Sequence, residues 1–363
     1  MKQTDFFRLI VKTSDKLTAF MVLGCFIFML FGCSRNHGPA DSPVDYHSRK
    51  VYVVLPAGNG YGLQASEIDS LNSHAASLGY GIEFLQPSGM SHASGLVGML
   101  LENNANALAM DSLPALVVLS DPSLESCLAE HAERHGDMPD SYLYDNVILM
   151  ESRNPQVPCH SFSMEMYGAM YIAGCIASTM SLPHLVVPRR AGYESVIRGF
   201  SQGYLDYVVS DKDLSDDIDV IDLDSLERAG EDFAGNISFY IEMDRVTVSL
   251  CPWLDADIMD SFHEDSRSFL IGVDMDPGQD RSQEIVNIDR QYARILIQYI
   301  EDWLNGNIAG RDRHESFGIS SGYIGIRTND GYEGCFDEWI DVLYGLAAEK
   351  ENRYLTPYQG VIK

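Results

Sequence analysis

From Lys50 onward, short apolar runs alternate with longer stretches whose apolar positions recur every three or four residues. The runs Val51–Leu55, Gly81–Leu85, Ala115–Leu119 and Asn146–Met150 are near-continuous in apolar side chains, the pattern of strands buried on both faces. Between them, Ser66–Leu78, Gly95–Leu108 and Leu124–Arg134 carry helical periodicity. A second set follows. Met164–Met180 predicts a helix with small residues on one face (Gly168, Ala169, Ala173, Gly174, Ala177), His184–Val187 a strand and Tyr193–Tyr204 a helix. Asp219–Asp222, Val246–Leu250 and Phe269–Val273 predict further strands, and Gln291–Leu304 an amphipathic helix closed by Asn305-Gly306. Tyr323–Arg327 and Asp337–Ala348 complete the series. Alternation of this kind predicts an α/β fold with two doubly wound parallel-sheet lobes. A crevice between two such lobes is a natural clamp for a small molecule.

The first fifty residues follow different rules. Lys2, Arg8, Lys12 and Lys16 precede the uncharged stretch Leu17–Gly32, and Cys33 stands directly behind it. Basic, apolar and small-residue regions in that order are the three parts of a secretory signal. About 16 apolar residues fall short of the roughly 20 that span hydrocarbon. A cysteine at the cut makes 1–32 a lipoprotein signal peptide, with Cys33 the lipidated residue. Residues 33–49 are polar and contain two prolines, Pro39 and Pro43, as a tether does. The chain is therefore expected in a bacterial cell envelope, lipid-anchored and facing the periplasm. Ser34 after the cysteine favours the outer membrane.

Charge narrows the partners. The chain carries a net charge of −28, and loss of residues 1–32, with four basic and two acidic side chains, takes it to about −30. Such a surface repels nucleic acid and anionic lipid. Of seven cysteines, Cys127, Cys159, Cys175, Cys251 and Cys335 lie in the mature body, widely spaced and without a CxxC. Export permits disulfides, but the spacing demands none, and Cys175 sits in an apolar helical run as a small core residue.

With these elements in place, a family resemblance emerges. Phe162-Ser-Met-Glu165-Met-Tyr-Gly168-Ala-Met-Tyr-Ile-Ala173-Gly174-Cys-Ile-Ala177 resembles the phenylalanine, glutamate and "GA–LAG–A" helix of the basic membrane protein (PnrA-like) family. Arg198-Gly199-Phe200-Ser-Gln-Gly203-Tyr204 resembles its "GF–G" helix, and Phe269-Leu-Ile-Gly272-Val-Asp274-Met-Asp276 its "IGVDSD" strand end. Order and spacing agree from about residue 50 to 330. The resemblance implies a lipoprotein substrate-binding protein of an ABC transporter, with a periplasmic-binding-protein type I fold and a nucleoside or related ligand. Its topology implies three crossings, with 50–158 and about 282–316 in lobe 1, and 159–281 with 317–363 in lobe 2. Three places depart from the family. Pro56–Gln64 lacks the aspartate of the family's first loop, Val196 stands where a stacking phenylalanine is usual, and Asn287 lies nearest the position of a lysine.

The candidate ligand-binding residues lie where predicted strands end. Asp274 and Asp276 can each accept two hydroxyl hydrogen bonds from a sugar, while Asp276-Pro277-Gly278 also reads as a turn. In Gly58-Asn59-Gly60-Tyr61-Gly62 the glycines let backbone approach a ligand, or form a plain tight turn, with Asn59 and Tyr61 the side chains offered. Tyr61 supplies an aromatic face. Ser120 and Asp121 either cap the next helix or face the cleft. Tyr193, Trp253 and Asn287 complete the set. His131 and His135, four apart on a helix, read as a solvated face, and the acidic run 211–224 as a solvated loop; no metal and no cofactor is expected. HExxH is absent and no catalytic residue is expected. The resulting expectation is a non-enzymatic clamp that hands a nucleoside-like solute to an ABC permease. The alternative is a lipoprotein sensor or interaction module that keeps the fold without transport.

Overall fold

Val53 and Val54 turn opposite ways, and that alternation organises the first half of the molecule. A computed structural model of the protein describes residues 46–56, 63–135, 141–179, 183–187, 193–207, 219–222, 246–249, 269–274, 284–332 and 334–359. The expected signal, Cys33 and residues 34–45 of the tether lie outside these residues, as does the acidic run apart from Asp219–Asp222. The last four tether residues, 46–49, are instead held on the fold, the Tyr46 hydroxyl donating to Asn305 Oδ1 at 3.2 Å and Arg49 lying 5.2 Å from the centre of the Trp303 ring. The first sheet, sheet A, contains β1 (Lys50–Val54), β2 (Gly81–Leu85), β3 (Leu116–Leu119), β4 (Val147–Met150), β5 (His160–Met164) and β11 (His314–Phe317), in the order β11-β5-β4-β3-β1-β2. All its pairings are parallel. Val54, Val117, Leu119, Val147 and Leu149 pack on one face against α2 (Met90–Ala109) and α3 (Glu125–His135). Val51, Val53, Leu116, Val118 and Ile148 belong to a second core with α1 (Ala65–Leu78) and α6 (Tyr292–Leu304). The central strands β3, β4 and β5 are buried throughout, whereas the edge strands β2 and β11 are only partly covered. Continuous apolar runs mark strands covered on both faces, and they are the ones the pattern reveals.

Sheet B contains β6 (Pro183–Val187), β7 (Asp219–Asp222), β8 (Val246–Ser249), β9 (Phe269–Val273), β10 (Glu284–Arg290) and β12 (Ile324–Thr328), ordered β12-β10-β9-β8-β6-β7. Its pairings are parallel except at β12, which runs antiparallel to β10. The strand order follows the same winding as sheet A. Two doubly wound α/β lobes are the architecture, and Tyr46–Lys363 forms one compact unit.

The chain passes from sheet A to sheet B after β5, back after β10, and again between β11 and β12. Strand pairing thus carries β5, at 160–164, into the first sheet and β10, at 284–290, into the second. The first two exchanges fall later in the chain than boundaries at 158 and 282 would have them.

Two helices show why particular small residues are needed. In α4 (Tyr167–Ser178) every residue from Tyr167 to Ala177 is buried, as expected of a helix apolar all round. It packs backbone to backbone against α5 (Tyr193–Tyr207). A Cβ on Gly174 would lie 2.1 Å from the Phe200 carbonyl oxygen, one on Gly199 2.3 Å from that of Tyr167, and one on Gly203 1.9 Å from that of Tyr171. On its other side α4 meets α7 (Asp337–Gln359), where the Tyr167 and Tyr354 rings stack at 4.6 Å. Among the described residues, no helix is long and apolar enough to cross a membrane.

Candidate functional site

Parallel winding brings the carboxyl ends of the strands in each lobe to one edge, and loops there carry most ligand chemistry in open α/β sheets. At this edge of sheet A lie Ser120 after β3, Glu151 after β4 and Glu165 after β5; at that of sheet B lies Asp274 after β9. A groove of about 330 Å³ opens beside the second crossing. The first turns of α1 form one wall (Gln64, Glu67, Ser70), and Asp274, Asp289 and Arg290 form the other. Its lining mixes carboxyls, guanidinium, amide and hydroxyl groups, so it offers donors and acceptors together.

Arg290 is the centre of this wall. Its backbone N–H donates to Asp274 Oδ1 at 2.7 Å and its Nε–H to Oδ2 at 2.6 Å, with Nη2 2.5 Å from the same oxygen. The carboxylate is thus held at both oxygens, Oδ1 by the backbone N–H and Oδ2 by two guanidinium nitrogens, in charge-assisted hydrogen bonds. The guanidinium side chain is 11% exposed and also lies 5.1 Å from the centre of the Tyr292 ring. Burial works against its charge, but the surrounding negative groups, led by Asp274, outweigh it and hold its pKa well above the usual arginine value. Tyr292 donates its hydroxyl to Glu151 Oε1 at 2.6 Å. Burial raises the Glu151 carboxyl, against the opposing pull of Arg290. Burial, reinforced by the negative charge of Asp274, pushes Glu67 up to about 7.

The described residues place four of the expected site residues, and each is engaged within the protein. Ser120 is buried and donates to the Val54 carbonyl at 3.0 Å, which joins β3 to β1. Asp121 accepts from Ser123 N–H at 2.9 Å and so caps the 3₁₀ turn Pro122–Leu124 that leads into α3. Asp274 is taken up by Arg290. Asn287, inside β10 and buried, donates to Asp289. Asn59, Tyr61, Trp253 and Asp276 lie outside the described residues, and of Tyr193 only the backbone, at the start of α5, is described. Val196, in place of the family's stacking phenylalanine, is a core residue of α5.

Other features of the sequence find structural roles. Glu165, 2% exposed, pairs with Arg153 and accepts from Ser163 and Ser316, which joins β5 to β11 beside the first crossing. His131 Nδ1 lies 3.1 Å from the Tyr144 hydroxyl and its ring 4.4 Å from that of His135. Among the described residues no three His, Cys, Asp or Glu side chains are grouped to hold a metal. Cys127, Cys159 and Cys175 are free and buried, and burial pushes the Cys159 and Cys175 thiols up to about 12; Cys335 is free and exposed.

Glu67, Glu151, Arg290 and Tyr292 were not among the sequence candidates. The signal for Glu67 is local: it stands three residues after Gln64, whose backbone N–H it accepts at 3.1 Å. Arg290 and Glu151 meet through tertiary register, which no local pattern carries.

Solved structures share this architecture. An ABC transporter solute-binding protein from Aeropyrum pernix K1 superposes with a TM-score of 0.62 at 13% identity, over 85% of this chain and 92% of that one. The fold is shared. An ABC transporter solute-binding protein from Burkholderia graminis C4D1M, in complex with D-arabinose, gives 0.52 at 12% identity, over 80% and 99%. A transcriptional activator of the comK gene from Bacillus halodurans gives 0.55 at 12% identity, over 85% and 97%. Sequence comparison matches no family model and no curated protein. At this level of identity the likeness concerns the fold, which proteins of different function can share.

Proposed function

We propose that this protein binds a small polar solute between its two lobes and delivers it to an ABC importer. The observation that carries the reading is the pair of similarly wound sheets, exchanged three times by one chain, with a polar groove at their carboxyl edges. Each lobe supplies half of the contacts, so a ligand that touches both stabilises the closed arrangement by binding it preferentially. The solute class is a hydroxyl-rich compound, a nucleoside by the motifs at Glu165–Gly174 and Gly272–Asp276, or a pentose by analogy with the arabinose complex. Mixed acceptors and donors in the groove suit either.

In this reading the direct contacts come from Asn59 and Tyr61 between β1 and α1, from Tyr193, and from Trp253 and Asp276 in sheet B's connections. Ser120, Asp121, Asp274 and Asn287 shape and brace the wall. Cys33 is the lipid attachment, and the protein faces the periplasm from the outer membrane. No catalytic step is part of the reading. A sensor or interaction module is the second reading, favoured by the engagement of all four placed candidates within the protein.

A thermal-shift panel of nucleosides, nucleobases, pentoses, hexoses and amino acids separates the two. A ligand at a hundred times its dissociation constant adds roughly 2.7 kcal/mol to stability. A shift confined to nucleosides or pentoses is expected. Silence across the panel would shift the assignment to the sensor or interaction module.

A further inference from the structure

The chain crosses from sheet B to sheet A at residues 290–293, and three carboxylates grip that one segment. Asp274, from the end of β9, receives the Arg290 backbone N–H and guanidinium. Glu151, from the end of β4 in the other sheet, receives the Tyr292 hydroxyl at 2.6 Å. Glu67, in the first turn of α1, receives the Ala293 N–H at 3.2 Å. The crossing is thus held by side chains from both lobes, in addition to the β10–β12 ladder that reaches Arg290 and the Gln291 N–H donated to the Tyr323 carbonyl at 2.9 Å.

Backbone strain falls on the same side chains. Glu151 has φ +57° and Asp274 φ +53°, in the left-handed region that non-glycine residues rarely enter. Such positions persist where the surroundings over-determine them. Among the described residues one other non-glycine residue shares this conformation, the exposed Asp111 following α2. One carboxylate in this conformation stands at a strand end in each sheet, and both contact the one crossing.

Charge adds a second constraint. Arg290 is the cation common to this cluster, and it faces Asp274, Glu151 and Glu67. Asp289, Arg294 and Arg327 line the groove beside Glu67, with Arg327 3.5 Å from Asp289. Glu165, with its partner Arg153, adds negative charge on the Glu151 side. Glu67, raised to about 7, and Glu151, also raised, hold protons where ordinary carboxyls do not.

We propose that residues 290–293 form an interlobe latch whose grip is set by protonation of the Glu67 and Glu151 carboxyls, so that access to the cleft is pH-dependent. This rests on the solute-binding reading for its purpose, though not for its physics. With both carboxyls protonated, Arg290–Asp274 is the ion pair of the crossing itself, and the Tyr292 hydroxyl and the Ala293 N–H face neutral carboxyls. As pH rises through about 7, the Glu67 carboxyl ionises beside Asp274, and ionisation of the raised Glu151 adds a third negative charge near the one guanidinium. Burial disfavours both charges, and Glu67 of lobe 1 is in addition repelled by Asp274 of lobe 2, so the crossing loosens.

Hydrogen–deuterium exchange on the full chain, without ligand, tests this directly. After correction for the chemical exchange rate, protection of the 290–293 peptide should fall about tenfold or more between pH 6 and pH 8.5. Protection of β3 should stay constant. The Glu67→Gln/Glu151→Gln double variant should lose the step. A wild-type protein without the step, or a folded double variant that keeps it, would overturn the proposal. If the double variant folds poorly, Tyr292→Phe serves instead: it deletes the Glu151 contact and should bring pH 6 protection near the pH 8.5 value. Full protection at pH 6 in that variant would equally overturn it. A solute panel with no binder bears on the solute-binding reading alone, since this measurement uses no ligand.

Discussion

Glu351 shows how much one side chain can hold. From α7 its Oε2 accepts the Gly168 N–H at 2.7 Å and its Oε1 the Ile319 N–H at 2.8 Å. Those amides belong to the start of α4 and to the third crossing, so one carboxyl ties the C-terminal helix to two passages between lobes. A Cβ on Gly318 would lie 2.0 Å from Oε1, so that residue is small because the carboxyl occupies the space. Glu351→Gln keeps one acceptor and leaves one buried N–H unpaired, which costs about 1–3 kcal/mol. Burial raises this carboxyl from 4.5 to about 7. The native state therefore holds a proton that the unfolded chain has released, and the stability so gained is complete below about 4.5 and lost as pH rises towards 7. Urea unfolding should find the Glu351→Gln penalty larger at about pH 5 than at about pH 8. A penalty that grows with pH would contradict this. Single residues are read from sequence unevenly. The place of Asp274 at a strand end is legible, but its partner stands 16 residues on and meets it through the register of β9 with β10.

At the scale of elements, the packing of α4 on α5 explains the motifs that carry the family resemblance. Gly174, Gly199 and Gly203 are conspicuous in the sequence because helix backbones touch there. Gly203→Ala places a Cβ 1.9 Å from the Tyr171 carbonyl oxygen, and backbone cannot move aside as a flexible side chain can. Such overpacking typically costs 1–3 kcal/mol. Gly345→Ala in α7, with open space around it, should cost little by the same urea titration. Equal effects of the two would refute the close-approach account. Elements with continuous apolar runs, such as β3 and β4, are legible for the reason that buries them. β5 reads His-Ser-Phe-Ser-Met and β11 His-Glu-Ser-Phe, with no such run, and both gain their strand identity from neighbours in sheet A. β10 interleaves Asn287 and Asp289 with Val286 and Ile288, which hides a strand that bears the latch.

At the scale of the molecule, three crossings join two sheets of similar winding, and the groove lies beside the second crossing. The α/β alternation makes this plan legible from one sequence, whereas the points of exchange depend on strand pairing and are displaced from the pattern's boundaries by several residues. The candidate site is legible in its location, at the carboxyl edges, and less so in its members: Glu67, Glu151 and Arg290 are assembled by tertiary contacts. The central claim is that a small polar solute is held between the lobes. Its most direct test is equilibrium dialysis of the purified protein against a mixed pool of nucleosides, pentoses, hexoses and amino acids, with retained compounds identified by mass spectrometry. The account predicts that one hydroxyl-rich class, nucleosides or pentoses, is retained at about one molecule per chain and released when the protein is unfolded. Retention of nothing from the pool, or equal retention by the unfolded chain, would contradict it.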